Sequence, residues 1–191
     1  MKKILLASKN KGKLKEFKEL FSKYGYEIIS LEDLNDHDEV EENGRTFKDN
    51  ALIKARYYHE KYQMDTISDD SGISIVYFNH LPGIYSARFL KHLSYPLKNE
   101  LILSIMKDIK NRDAYYTCDI AMIIDGQEMV FEGILNGEIA YEQKGENGFG
   151  YDPIFYLKEY DKTTAELSSD EKNAISHRGI ALRKLVAYFE K

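Results

Sequence analysis

Cysteine is nearly missing from this chain: Cys118 is the single one among 191 residues. That excludes an internal disulfide and any zinc site built from several cysteines. Cys118 sits in Tyr116-Thr117-Cys118-Asp119-Ile120, which alternates like a strand, so we expect it buried as a small hydrophobe. A chain without disulfides suits a reducing, cytoplasmic setting. Long apolar runs are missing too. None approaches the ~20 residues that cross a bilayer, and no membrane partner is expected. The opening Met1-Lys2-Lys3-Ile4-Leu5-Leu6-Ala7 has only four apolar residues before Ser8. A secretory h-region needs ~7–15, so this stretch reads as a first strand. There is no internal repeat, low-complexity segment or linker rich in Pro, Gly or Ser. A single domain over residues 1–191 is expected, large enough to bury a substantial core. Nor is there an excess of positive charge. The net charge of −5 argues against broad nucleic-acid binding.

What charge there is lies unevenly. Lys9, Lys11, Lys13, Lys15 and Lys18 crowd the N-terminus, and acids crowd Glu32 to Glu42. A basic site facing an acidic one suits a phosphate and its metal ion, although two solvated surfaces would read the same way.

The periodicities describe an α/β protein with a mixed sheet. Lys3 to Ala7 reads as a buried strand. Lys13 to Tyr24 reads as a helix with Leu14, Phe17, Leu20, Phe21 and Tyr24 on one face, ended by Gly25. Tyr26 to Leu31 completes a β-α-β unit. Glu32 to Asn43 is expected as a loop, followed by a helix from Thr46 to Tyr62 with Thr46 as N-cap and Asp49 three residues on. Asp65 to Ser68 is expected as a short strand running into Asp69-Asp70-Ser71-Gly72, with strand resuming over Ile73 to Phe78. His80 to Gly83 reads as a turn. Leu97, Leu101, Ile105 and Ile109 recur every fourth residue and predict a helix over Pro96 to Lys110. Ala114–Ile124 and Glu128–Ile139 are joined by Asp125-Gly126, a hairpin signal. Gly145 to Gly150 is loop, with a short strand near Pro153 to Tyr156. The last helix is expected from about Asp170 to Phe189, with Ser169 as cap and Ile175, Leu182, Leu185, Val186 and Phe189 inward.

Five segments can carry chemistry. Ser8-Lys9-Asn10-Lys11-Gly12-Lys13 lies between a strand and a helix, where outward N–H groups attract anions. Gly12 permits close backbone approach, and Asn10 and Lys13 supply donors. A solvated lysine-rich turn would use the same residues, and the segment lacks the Walker A spacing. Glu42-Asn43-Gly44-Arg45-Thr46-Phe47 leads to Asn50 and Lys54, which share a helix face and can address a phosphate and its metal, or simply decorate a surface. Asp69-Asp70-Ser71-Gly72 offers adjacent carboxylates for Mg²⁺ or for taking a proton from water. An Asx-type turn needs the same residues. Gly145 to Pro153 surrounds Phe149 and Tyr151 with glycines, so that a ring can lie on a purine face and Asp152 can read its edge. A tight turn with core aromatics is the other reading. Ser176-His177-Arg178, expected inside the last helix, can donate to carbonyl groups on a base or stand as plain surface.

Together and in this order, the segments resemble the inosine/xanthosine triphosphate pyrophosphatase family, the XTP/dITP diphosphatases. The resemblance runs from about Lys3 to Leu185. It is most specific in Gly44-Arg45-Thr46-Phe47 with Asn50-Ala51 and Lys54-Ala55, in Asp69-Asp70-Ser71-Gly72, and in Pro82-Gly83-Ile84-Tyr85-Ser86-Ala87-Arg88. Gly148-Phe149-Gly150-Tyr151-Asp152-Pro153-Ile154-Phe155 and Ser176-His177-Arg178-Gly179 complete it.

The resemblance implies a long central mixed sheet flanked by helices, two lobes around an active-site cleft, and a homodimer. It implies hydrolysis of dITP, ITP and XTP to the monophosphate and pyrophosphate. Carried over by motif, Ser8, Lys9, Asn10, Lys11, Gly12 and Lys13 would contact the triphosphate, with Lys54 joining them. Glu42 and Asp70 would bind Mg²⁺, with Asp69 nearby and Asp70 as proton acceptor. Ser71 would touch substrate. Phe149, Gly150, Tyr151, Asp152, Lys172, His177 and Arg178 would form the base pocket. Two departures stand out. Many members read Thr-Gly-Asn where this chain has Ser8-Lys9-Asn10, and Phe89 to Leu93 replaces a longer, more polar loop. The rival readings are a Maf-like pyrophosphatase with other substrates and a catalytically silent nucleotide-binding or nucleic-acid-binding protein using the Lys9–Lys18 cluster. A substrate panel and the salt dependence of DNA binding separate these.

Overall fold

The computed structural model describes residues 2–190, without the side chains of residues 11, 12, 15, 16, 19 and 20. The side chains of the expected phosphate ligand Lys11 and the expected core residue Leu20, and the surroundings of the expected phosphate ligand Gly12, therefore lie outside what is described. Seven strands form one open sheet in the order β2-β1-β3-β4-β5-β6-β7. They are β1 Lys2–Leu6, β2 Tyr26–Ser30, β3 Thr66–Ile75, β4 Asp113–Ile124, β5 Gln127–Ile139, β6 Phe155–Leu157 and β7 Lys162–Thr163. The helices are α1 Lys11–Ser22, α2 Phe47–Tyr62, α3 Tyr95–Ile105, α4 Ser169–Ile175 and α5 His177–Phe189. β1 pairs in parallel with β2 and β3, while β6 is antiparallel to β5 and β7, so the sheet is mixed. No helix among the described residues is long and apolar enough to cross a membrane.

The chain divides into two compact units: residues 1–70, 119–132 and 181–191, and residues 71–118 and 133–180. The first holds the β-α-β opening. Gly25, at φ +77°, lets the chain leave α1 in a backbone conformation that most side chains resist. Phe17 and Phe21 of α1 are fully buried, and Phe21 meets Phe189 edge to face at 5.4 Å. α2 begins where its sequence signal places it. Thr46 Oγ1 accepts from Asp49 N, and Thr46 N donates to Asp49 Oδ2. Its inward face, Ala51, Leu52 and Ala55, packs on Ala121 and Ile123. The loop before it is tied down. Lys61 Nζ lies 2.7 Å from Asp36 Oδ2 and from Asp38 Oδ2, and Tyr62 donates to Asp36. Those hydrogen bonds, first from Lys61 and then from Tyr62, hold the Asp36 carboxyl down at about 2.

The second unit is organised around Ile73, Ile75, Ile102, Met106, Tyr116, Phe155 and neighbouring apolar side chains. Arg112 is buried there, with its guanidinium donating to the carbonyls of Ile139, Met106 and Ala140.

Four expectations need correction. β3 is one continuous strand through Asp69-Asp70-Ser71-Gly72, so those residues form neither a strand end nor an Asx turn. The apolar residues on both sides of the acids keep the ladder going. α3 ends at Ile105, and its four-residue stripe faces outward: Leu97, Leu101 and Ile105 are exposed, while Lys98, Asn99 and Ile102 are buried. Periodicity shows that a helix forms but not which face finds a partner. The last helix is two helices. Ser176 sits at φ −62°, ψ 154°, and its Oγ accepts from Gly179 N, starting α5 afresh. The cap of α4 is Ser168, one residue before the expected Ser169. Finally, Asp152–Ile154 is a 3₁₀ turn ahead of β6, and β7 had no signal strong enough to read.

Candidate functional site

Chemically active side chains gather in two groups, one in each unit. In the first, α2 and β3 supply most of the charge. Asn50 and Lys54 are one helical turn apart on α2. Asn50 is fully buried. Its Oδ1 accepts from Gly44 N at 2.9 Å, and its Nδ2 donates to Asp70 Oδ2 at 3.1 Å. Lys54 Nζ lies 2.5 Å from Glu42 Oε1 and donates to the backbone carbonyl of Asp69 at 2.8 Å. Burial works against the Lys54 charge, but Asp70, Asp69 and Glu42 outweigh it and raise the ammonium above its ordinary value. Lys13 reaches over from α1, with its Nζ 2.6 Å from Asp69 Oδ2. The strand alternation of β3 explains the pairing, because consecutive side chains point to opposite faces. Asp69 is 2% exposed and Asp70 is only half-buried.

The N-terminal loop has its own scaffold. Asn10 Oδ1 accepts from Lys13 N, and Asn10 O accepts from Leu14 N, so Asn10 caps α1. Ser8 Oγ accepts from Asn10 N. No acid stands in the first turn of α1, which leaves its positive end to attract an anion. Lys9 is exposed and donates to His37 O at 3.1 Å.

In the second unit, Asp152 organises the glycine-rich loop. Its Oδ2 accepts from Phe149 N at 2.7 Å and lies 2.5 Å from Lys172 Nζ, and its Oδ1 accepts from Thr164 Oγ1 at 2.9 Å. Both oxygens of this buried carboxylate therefore hold the loop itself. Gly148 is required there: a Cβ would come within 2.3 Å of Asp152 Oδ2. Tyr151 is buried, donates to Ser86 O at 2.9 Å and packs edge-on against Tyr95. Phe149 is the loop's outward ring, 64% exposed, with Lys172 Nζ 5.2 Å from its centroid. His177 lies flat on Tyr116 at 4.6 Å and an interplanar angle of 10°, and Arg178 Nη2 donates to Ser71 Oγ at 3.5 Å.

Three residues near these groups escaped the sequence reading. Asp119 on β4 is 4% exposed. Burial, then Glu132 and Asp70, push its carboxyl up to about 6 against the pull of Lys48 and its backbone N–H. A lone acid in an apolar strand was the available signal. Tyr116 under His177 and Asn99 beneath Gly150 had none, since both contacts join residues far apart in the chain.

Glu42 and Asp70 offer hard carboxylate oxygens, and Asp69 is engaged by Lys13. Among the described residues, no three His, Cys, Asp or Glu side chains converge closely enough to hold a cation by themselves. Such a set suits an ion that takes one or two protein carboxylates and completes its shell with water and phosphate oxygens.

An α/β chain with an Asn-capped helix N-terminus, two half-buried lysines and a line of carboxylates has the groups that phosphate-handling proteins use. The family model of the Ham1 family matches residues 4–188, and the chain belongs to that family. It is 43% identical over 197 residues, spanning both chains fully, to a protein of Bacillus licheniformis named dITP/XTP pyrophosphatase. It is 45% identical over 194 residues to the Bacillus subtilis protein of the same name, covering 100% of this chain and 98% of the relative. Among solved structures, the Staphylococcus aureus Ham1 protein superposes with a TM-score of 0.93 at 41% identity, covering 99% of this chain and 98% of that one. A HAM1 protein from Coxiella burnetii gives 0.94 at 38% identity, covering 100% and 99%.

Proposed function

We propose that this protein is a Mg²⁺-dependent nucleoside triphosphate pyrophosphatase, acting as one catalytic domain. It hydrolyses aberrant purine nucleotides such as dITP, ITP, XTP and dXTP to the monophosphate and pyrophosphate, keeping them out of DNA and RNA. The observation that carries this is the lattice of Lys13, Lys54, Glu42, Asp69 and Asp70, with ammonium and carboxylate groups 2.5–2.6 Å apart in its two ion pairs. The names of the relatives support the substrate class.

The triphosphate is assigned to Ser8, Asn10 and the α1 N-terminus, with Lys13 and Lys54 offsetting its negative charge. Glu42 and Asp70 are assigned to the metal, with Asp69 serving Lys13. When bound there, Mg²⁺ would supply positive charge to the phosphate oxygens. Asp70 accepts a proton from the water that attacks the α-phosphorus. The bond from that phosphorus to the α–β bridging oxygen breaks, and pyrophosphate leaves with the electron pair. Lys13 and Lys54 stabilise the charge that develops on the leaving group.

The base is assigned to Phe149, the loop that Asp152 and Lys172 brace, and His177 and Arg178. Inosine and xanthine carry a 6-oxo acceptor where adenine carries a 6-amino donor. Donors from His177 and Arg178 pair with the former and are left unpaired by the latter, which is the costly case. Stacking on Tyr116 fixes the His177 ring for that contact.

The outward stripe Leu97, Leu101 and Ile105 supports a homodimer, in which a second copy covers it. Sedimentation of Leu101→Asp tests this, and an unchanged mass would reject it. The single buried thiol, Cys118, accords with a cytoplasmic location.

The test is a panel of dITP, XTP, dGTP, ATP and dUTP, with and without Mg²⁺, scored by released pyrophosphate. Turnover of dITP and XTP well above ATP and dUTP is expected, and only with the metal. Equal kcat/KM for dITP and ATP would reject the base assignment. Preferred turnover of dUTP would favour a Maf-like activity instead.

A further inference from the structure

The glycine-rich loop is also held from beneath. Asn99 on α3 is 1% exposed, and its Nδ2 donates to Gly150 O at 3.1 Å. The same Nδ2 lies 3.4 Å from Gln143 Oε1, and Gln143 Nε2 in turn donates to Pro96 O at 3.2 Å. Gly150 stands at φ +71°, and a Cβ built there would lie 3.6 Å from the ring of Tyr95, one turn before Asn99 on α3. Tyr95 also meets Tyr151 edge-on at 5.4 Å. The first turns of α3 therefore grip both residues that follow Phe149.

A structural role alone explains Asn99 poorly. Its Oδ1 has no hydrogen-bond partner among the described residues, although the side chain is buried. A buried acceptor without a partner works against stability, and an apolar side chain of similar shape avoids that penalty. The one directed contact to the loop is the amide donation to Gly150, and the neighbouring residue there is the exposed Phe149.

We propose that Asn99 is a specificity-determining positioning residue. By holding the Gly150 carbonyl against α3, it sets the direction in which the Phe149 ring, whose N–H is fixed on Asp152, faces a purine base. This rests on the assignment of the loop to the base. Among the described residues, the Asn99 amide donates to Gly150 O and Gln143 Oε1, so its effect is on base recognition and not on the chemical step.

The test compares wild type with Asn99→Leu and Asn99→Asp, both in the full chain. Loss of one hydrogen bond predicts KM for dITP about tenfold higher with kcat within about twofold. Inhibition by inorganic tripolyphosphate, which has no base, should be unchanged. Amide hydrogen exchange in residues 148–152 should quicken in both variants without ligand, while exchange in β1 and α2 stays as in wild type. Parallel losses for dITP and tripolyphosphate would overturn the proposal, as would an unchanged dITP KM in an active enzyme. If wild type fails to hydrolyse dITP, the assignment of function fails. Exchange then decides the positioning role alone: protection of 148–152 that does not depend on Asn99 overturns it.

Discussion

Lys54 is shared between Glu42 and Asp69: its ammonium lies 2.5 Å from the Glu42 carboxylate and donates to the Asp69 carbonyl at 2.8 Å. One cation thus ties the loop before α2 to the middle of β3. Lys54→Met keeps the aliphatic stem and removes the charge. The expected loss in kcat is about 10²–10³-fold, the range for removing one preorganised electrostatic contact. The fold should persist, since Glu42 is 23% exposed and can be rehydrated. Circular dichroism and steady-state rates check both halves, and near-normal kcat in a folded variant rejects the role.

Asp70 is tested by Asp70→Asn. The Asn50 amide donates to Asp70 Oδ2, and an asparagine oxygen can still accept it, so the variant should fold. Loss of a proton acceptor predicts a fall of about 10²–10⁴-fold. In ¹⁸O-water, wild type should place label in the monophosphate. Label found only in pyrophosphate would move the attack to the β-phosphorus.

Lys9 and Lys13 belong to one motif but differ in place. Lys13 pairs with the buried Asp69, whereas the exposed Lys9 donates to the carbonyl of His37. Lys13→Ala should therefore lower kcat/KM by about 10²-fold or more. Lys9→Ala should change it by less than about threefold, in keeping with small effects at exposed charges. Equal effects from the two substitutions would show that the loop rearranges around substrate.

Asp119 gives a pH dependence with a defined sign. Its folded carboxyl is raised to about 6 from 3.8, so folding favours the protonated form. Below the unfolded value there is no penalty. The penalty grows between those two values and is complete above the folded one, where it reaches up to about 3 kcal/mol. Asp119→Asn keeps an acceptor for Lys48 N–H and removes the charge. It should raise Tm by several degrees at pH 8 and by almost nothing near pH 4. An equal gain at both pH values would mean that packing, not ionisation, is responsible.

Local chemistry was readable in advance where it acts over a few residues. The capping box at Thr46 and Asp49 formed as written. Gly25 ended α1, and Asp125-Gly126, both at positive φ, turned the hairpin between β4 and β5. Each is a contact within about four residues, so the chain carries its full cause. The break at Ser176 is the instructive failure. The apolar spacing continued across it, but the Ser176 hydroxyl competed for the backbone and restarted the helix, putting His177 and Arg178 at an N-terminus.

The sequence alone determined which residue types were present for phosphate and metal chemistry, and most of the helices and strands that carry them; the continuity of β3 and the break at Ser176 were not among these. It also determined the resemblance, because motif order is a property of the chain. Only the tertiary structure decided how those residues are used. It pointed Asp69 inward to Lys13 and bound Asp152 to its own loop. It set Tyr116 under His177 and Asn99 under Gly150, and turned the stripe of α3 outward. Apart from the Asp152 bond to Phe149, these are contacts between residues tens of positions apart. Their geometry depends on which faces pack together, and local preference carries no record of that.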